Sequence, residues 1–327
     1  MRKVTAIVSF FLVFCFSSSA CGKVYIDINS PAFQKFPVAI PEFKNLGKPG
    51  TEKMLSAWFA NQLSRSLKIT GFFEVISKDA FLENQDNTDP TAEAIDFSNW
   101  YSIGSDFLIK GGFNCNGNRI AVEFRLFDTI EGKLITGKKY WGNPEEKKTM
   151  VLRFANEILL ALTGRAGVFD TKIAFVGKRD NCSEIYTINF DGSDPVKITT
   201  TDSLTLLPYW SPSGAEISFT SYMNDNPDCY IINLASRKTR TISSFRGLNI
   251  LTSWSPDGSK ALLVITRDGN EDIYIKDLNN GRLQRLTRDI AIDVSPVWSP
   301  DGQKIAFVSN RSGAPQIFVM DSEGKNI

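Results

Sequence analysis

A five-residue phrase is written three times in this sequence. Trp210-Ser211-Pro212-Ser213-Gly214 returns as Trp254-Ser255-Pro256-Asp257-Gly258 and again as Trp298-Ser299-Pro300-Asp301-Gly302, with a step of 44 residues both times. Phe219, Leu263 and Phe307 keep the same step, as do Tyr230, Tyr274 and Phe318, and Thr199, Ser243 and Thr287. A period of this length restricts the chain to a repeat architecture, in which each unit hides its apolar surface against its neighbour. Within one unit, β-rich runs such as Lys304-Ile305-Ala306-Phe307-Val308 and Gln316-Ile317-Phe318-Val319-Met320 are separated by Ser299–Gly302 and Asn310–Gly313. In Ser-Pro-Asp-Gly, proline presets φ at the second position and glycine accepts the positive φ that follows. Four short strands fill a unit and leave no room for a helix. Four antiparallel strands per unit make a β-propeller blade. The tryptophan sits on the first strand, placed to wedge between blades. The tryptophans and prolines are therefore read as packing and turn residues.

The phrase Trp-Ser-Pro-Asp-Gly-x-Lys-Ile-Ala-Phe, followed by an aromatic strand and an Arg-x-Leu-Thr closure, resembles the TolB-type propeller repeat. The Trp210 copy departs, with Ser213 for Asp and Glu216 for Lys, and an earlier copy begins only at Thr171-Lys172-Ile173-Ala174-Phe175. The repeat also occurs in propellers attached to peptidases, so it speaks to fold more than to function.

The chain has 327 residues, enough for two domains, and a net charge of +1, which gives no reason to expect nucleic acid as a partner. It has no histidine. That removes Ser-His-Asp and Cys-His nucleophile systems, His-liganded zinc and histidine bases. No GxGxxG, GxxxxGK[ST] or GxSxG is present. No catalytic residue, metal or cofactor is expected.

Residues 1–20 read as a secretory signal: Arg2-Lys3, an apolar core from Ala6 to Phe16, then Ser18-Ser19-Ala20 before Cys21. The expectation is export to the periplasm, with lipid attachment at Cys21 as the alternative and no transmembrane segment after signal removal. Cys115, Cys182 and Cys229 show no metal or redox spacing. Cys229 falls in register with Ile185 and Ile273, which predicts a small buried hydrophobe, whereas Cys182 is read as a loop residue.

Residues 22–164 read as an α+β domain. Lys23-Val24-Tyr25-Ile26-Asp27-Ile28 alternates as a strand that pairs within this domain or with another protein's sheet edge. Phe36 to Pro41 is a short strand. Thr51 to Lys68 is a helix with Leu55, Trp58, Phe59, Leu63 and Leu67 on one face and Gly71 beyond its end. Phe72–Ile76 is a strand, and Thr91 to Trp100 a weaker helix. Asp106–Cys115, Arg119–Phe127 and Lys133–Trp141 form a meander. A last helix is capped by Asn143-Pro144 and runs to Gly164. Residues 165–170 form a linker, and 171–327 a partial propeller of about three and a half blades.

A signal, this α+β domain and these repeats together resemble the TolB family of the Tol–Pal cell-envelope system, over nearly the whole chain. The resemblance implies a six-bladed propeller whose C-terminus completes the first blade, so the chain is expected to be C-terminally truncated. It also implies a non-catalytic periplasmic adaptor. The propeller mouth would bind a Pal-like lipoprotein and the N-terminal segment a TolA-like inner-membrane protein, in outer-membrane integrity and constriction during cell division. Candidate contact residues are Lys23, Val24, Tyr25, Ile26, Asp27 and Ile28, and, in the loops leading into the innermost strands, Leu248, Asn249, Leu251, Asp293, Val294 and Ser295. Exposed apolar residues there suit a protein partner; blade packing is the equally open reading. The alternatives are the propeller of an exported peptidase, which needs a hydrolase domain and a histidine, and a lyase propeller, which generally recruits histidine ligands. The acidic run Asp268-Gly269-Asn270-Glu271-Asp272 lacks calcium-loop spacing and is read as a solvated loop.

Overall fold

The protein is described from a computed structural model covering residues 34–47, 53–82, 90–179 and 182–327; the signal, Cys21 and the Lys23–Ile28 segment lie outside these residues. The chain divides into two compact units after Gly167.

In the first unit, helix α1 (Lys53–Ile69) buries Phe59, Ala60, Leu63 and Leu67, the stripe expected from their spacing. Gly71, at φ 74°, turns the chain out of it. Strands β1 (Phe36–Ala39), β2 (Lys44–Asn45), β3 (Phe73–Val75), β4 (Phe107–Asn116), β5 (Arg119–Asp128) and β6 (Lys133–Gly142) form one mixed sheet, in the order β3-β1-β4-β5-β6 with β2 beside β4. The β4–β5–β6 meander is antiparallel; β1 is parallel to both β3 and β4. Helix α3 (Lys147–Thr163) ends on Gly164 at φ 72°, whose N–H donates to Leu160 O at 3.0 Å. Its Phe154 stacks on Phe124 of β5 at 4.8 Å, and Phe43 and Phe59 complete the aromatic core.

The weaker helix proposed over Thr91–Trp100 is two pieces, a 3-10 turn at Ala92–Ala94 and α2 (Phe97–Ser102). Asp96 separates them because its carboxylate accepts from the Ser98 N–H at 3.1 Å and caps a fresh helix start. Likewise Pro144–Glu146 forms a 3-10 turn ahead of α3.

The second unit is a row of antiparallel blades. The first is β7 (Lys172–Arg179), β8 (Cys182–Asn189) and β9 (Val196–Lys197). The second is β10 (Thr205–Trp210), β11 (Glu216–Ser221), β12 (Asp228–Asn233) and β13 (Thr239–Ser243). The third is β14 (Asn249–Trp254), β15 (Lys260–Ile265), β16 (Asp272–Asp277) and β17 (Leu283–Arg285). The last is β18 (Asp293–Trp298), β19 (Lys304–Ser309) and β20 (Gln316–Asp321). Cys182 opens β8 and pairs with Arg179 instead of lying in a loop.

Packing between blades follows the repeat. Trp254 lies in one cluster with Cys229, Ile231 and Ile242 of the second blade and with Ala261, Leu263 and Tyr274 of its own. Trp298 does the same with Leu262, Ile273 and Ile275 of the third blade, and Trp210 with Ile185 and Ile198 of the first. The glycines of the repeated phrase sit at φ 69° to 73°. A Cβ on Gly258 would lie 3.7 Å from Pro212, and one on Gly302 would lie 3.5 Å from Pro256, so each turn proline rests on the next blade's glycine. Cys229 is fully buried, as its register predicted, and burial pushes its thiol up to about 12.

The serine of the phrase ties its turn. Ser255 Oγ accepts from the Lys260 N–H at 2.9 Å and donates to Asp257, which also accepts from the Ser259 N–H at 3.0 Å. These hydrogen bonds, from Ser255 first, hold the Asp257 carboxyl down at about 2. A group with a lowered folded pKa contributes stability above its unfolded value and loses it as pH falls through the folded one. Asp257→Asn is therefore expected to be less stable than wild type at pH 7 and to converge with it between about pH 4 and pH 2, read from unfolding midpoints across that range. A constant gap over the whole range would refute the assignment.

Candidate functional site

The loops leading into β10, β14 and β18 end on residues 44 apart: Leu204, Leu248 and Ile292. Leu204 is 43% exposed and Ile292 is 45% exposed, with Leu248 half-buried. One apolar side chain is thus repeated at the head of each innermost strand. The backbone beneath is hydrogen-bonded each time to the same later position of the repeat, through that residue's side chain for Leu248 and Ile292 and through its main chain for Leu204. The Leu248 N–H donates to Thr266 Oγ1 at 2.8 Å, and the Ile292 N–H donates to Asn310 Oδ1 at 2.9 Å. Leu204 O accepts from the Tyr222 N–H at 3.0 Å. Tyr222, Thr266 and Asn310 are themselves one period apart.

Immediately inside lies a buried polar layer. Thr205, Asn249 and Asp293 begin the innermost strands and are fully buried. Glu184, Asp228 and Asp272 occupy a second period and are also buried. Each is hydrogen-bonded, as a buried polar group must be. Asn249 Oδ1 accepts from Ser243 Oγ and the Phe245 N–H, and its amide donates to Phe245 O and Gly247 O. Arg311 grips both oxygens of Asp293 at 2.9 Å. Arg285 donates to Asp272 at 2.5 Å and to Asp268 at 3.1 Å. Burial raises the Asp272 carboxyl above its usual range, against the pull of Arg285. Burial works the same way on Glu184, but hydrogen bonds from Thr199, the Asp202 N–H and Thr201, with Lys197 nearby, outweigh it and lower its pKa.

This layer corrects three expectations. Asn249 and Asp293 are internal girders of the blades and present no surface. Leu251 is 2% exposed and belongs to the core around Trp254, because the residue after an outward-facing Ile250 must point inward. Asp272 is not part of a solvated loop: it is the buried end of the Arg285 pair, whereas Asp268, Gly269, Asn270 and Glu271 before it keep full or partial exposure. Leu248, Val294 and Ser295 stay at least partly accessible. The stretch Leu206-Leu207-Pro208, which the repeat also places at the channel mouth, keeps Leu207 39% exposed, whereas Leu204 and Ile290 were missed; Ile290 is 99% exposed. The 44-residue step points to Leu204 once Leu248 is chosen. Leu207 and Ser295, two periods apart, both have left-handed backbone, at φ 54° and 53°, where β10 and β18 each carry a register shift.

Among the described residues, no group of acidic, cysteine or histidine side chains is arranged to hold a metal ion. No described helix is long and apolar enough to cross a membrane.

Comparison with known proteins agrees with this architecture. The model of the TolB amino-terminal domain matches residues 24–135, and that of the TolB beta propeller domain matches residues 160–327. The chain is similar to the Tol-Pal system protein TolB of Syntrophus aciditrophicus, 43% identical over 213 residues, or 64% of this chain and 47% of that protein. It is similar also to that of Desulfosudis oleivorans, 40% identical over 62% of this chain and 46% of the relative. The chain therefore spans about half the length of the curated relatives it matches. The crystal structure of TolB from Acinetobacter baumannii superposes with a TM-score of 0.74 at 26% identity, covering 88% of this chain and 69% of that one. An amino-terminal mixed sheet, a run of blades wedged by Trp210, Trp254 and Trp298, and family matches over both halves place this chain in the TolB family of Tol-Pal system proteins.

Proposed function

We propose that the chain is a non-catalytic periplasmic adaptor of the Tol–Pal system. Its blade mouth receives a Pal-like lipoprotein, and its Lys23–Ile28 segment engages a TolA-like inner-membrane protein. In this reading it serves outer-membrane integrity and constriction at division. The observation that carries the docking half is the periodic apolar set Leu204, Leu248 and Ile292. Exposed or half-exposed aliphatic side chains at one register of successive blades, each on a hydrogen-bonded backbone, form a pre-organised surface for a protein partner. Val294, Ser295 and Leu207 flank it. The layer behind consists of satisfied, buried polar groups. It supports the rim without competing for the ligand.

The expected result of Leu248→Glu with Ile292→Glu is a loss of lipoprotein affinity of about thirtyfold or more, as for central apolar anchors. The unfolding midpoint should barely move, because both side chains are partly solvated already. The measurement is a titration of the purified lipoprotein domain into wild type and variant. Unchanged affinity in a folded double variant would remove the mouth from the proposal. Deleting residues 22–33 should instead abolish only capture of the inner-membrane partner.

A further inference from the structure

The first unit carries a candidate site that does not depend on the docking proposal. Asn114, Ala121 and Trp141 are register partners in one row across β4, β5 and β6, and Asn116 pairs with Arg119 at the end of the same hairpin. Alternation along the strands puts these five side chains on one face of the sheet. The other face carries the row Phe113, Val122 and Tyr140, where Phe113 packs against Phe59 of α1 at 5.5 Å. Ala121 is the low point of its row, flanked by an amide and an indole, and the resulting concavity has a volume of about 690 Å³. Trp141 is 71% exposed at its edge, unusual for a residue that normally hides most of its ring. Lys139 props the indole, its ammonium 5.9 Å from the ring centre, and is itself drawn toward Glu123 at 4.0 Å.

Among the described residues, no hydrogen bond engages the side chains of Asn114, Asn116 or Arg119. Elsewhere the asparagine amides are spent on local structure: Asn233 and Asn280 in turns, Asn270 across a loop. Among the described residues, no carboxylate lines the concavity.

We propose that this face binds an uncharged oligosaccharide. An exposed indole offers a flat apolar surface to the C–H face of a sugar ring. Planar amides and a guanidinium offer paired donors and acceptors at the spacing of neighbouring hydroxyls. A single-stranded nucleic acid would need a track of cations along its backbone. Arg119 alone does not supply one, and Lys139 already faces a carboxylate.

The test is calorimetric titration of the full chain with two neutral probes, a β-1,4-linked N-acetylglucosamine tetramer and cellotetraose, and two charged ones, an oligouridylate and an oligoglutamate. At least one saccharide should bind saturably. Trp141→Ala should weaken it about tenfold, while Trp141→Phe keeps most of the affinity. Both variants should unfold at the wild-type midpoint. The proposal is overturned if neither saccharide binds, if the alanine variant binds as well as wild type, or if only a charged probe binds.

Discussion

Trp254→Ala is expected to lose about 3–5 kcal/mol of unfolding free energy, the range for a large aromatic deleted from a core. Trp254 is 8% exposed and contacts side chains from two blades. Its removal opens a cavity at a seam where neither sheet can collapse without shifting the other. The loss is read as a lower urea midpoint for the second unit. A loss under about 1 kcal/mol would show that the seam does not depend on the indole. Trp254→Phe separates two contributions. The Trp254 indole N–H is buried with no hydrogen-bond partner among the described residues, as are those of Trp210 and Trp298. Phenylalanine removes that orphan donor while keeping most of the ring, so the cost should fall to less than half. Trp141→Ala, on an exposed ring, is the neutral control.

Arg285→Met should be of similar size, about 3–5 kcal/mol at pH 7, because it leaves a buried carboxylate unpaired. Asp272 is fully buried and Arg285 is its cation, with Asp268 and Thr287 O as the guanidinium's other partners. The pH dependence is distinctive. The Asp272 carboxyl is already raised by burial, and losing Arg285 raises it further. A carboxyl with a raised folded pKa binds its proton more tightly in the native state, so its stabilising effect is present at low pH and lost as pH rises through the folded value. The deficit of Arg285→Met should therefore be largest at pH 7 and shrink as pH falls through the raised carboxylate range. Unfolding curves at pH 4 to pH 7 measure it. A deficit independent of pH would mean that Arg285 stabilises by packing alone.

Register was legible in the sequence; depth was not. The recurring Trp-Ser-Pro-Asp-Gly phrase states where each blade turns, because proline and glycine have few other uses at that spacing. It also places Cys229 with Ile185 and Ile273, and all three are buried. What a period cannot state is how far along the radius a side chain points. Leu248 and Leu251 look alike in sequence, yet one sits on the rim and the other in the core. Asn249 and Asp293 are polar and lie near turns, which suggests surface. Their burial depends on partners such as Arg311, 18 residues from Asp293. Asp272 hides in the same manner behind Arg285, 13 residues away. In the first unit the long helices were plain from their apolar stripes. The Thr91–Trp100 segment was harder, because Asp96 serves as a cap in the middle of a helical pattern. The concavity beside Trp141 depends on three strands being in register, and no single stretch of sequence shows it.

The reading as an adaptor turns on whether the heads of successive innermost strands form one contact surface. Hydrogen exchange of the full chain, with and without the Pal-like lipoprotein domain, tests this directly. Added partner should slow exchange together in the segments 204–207, 248–251 and 292–295, leaving the outer strands β9, β13 and β17 unchanged. Protection confined to outer strands, or to one blade with its neighbours untouched, would contradict docking at the mouth.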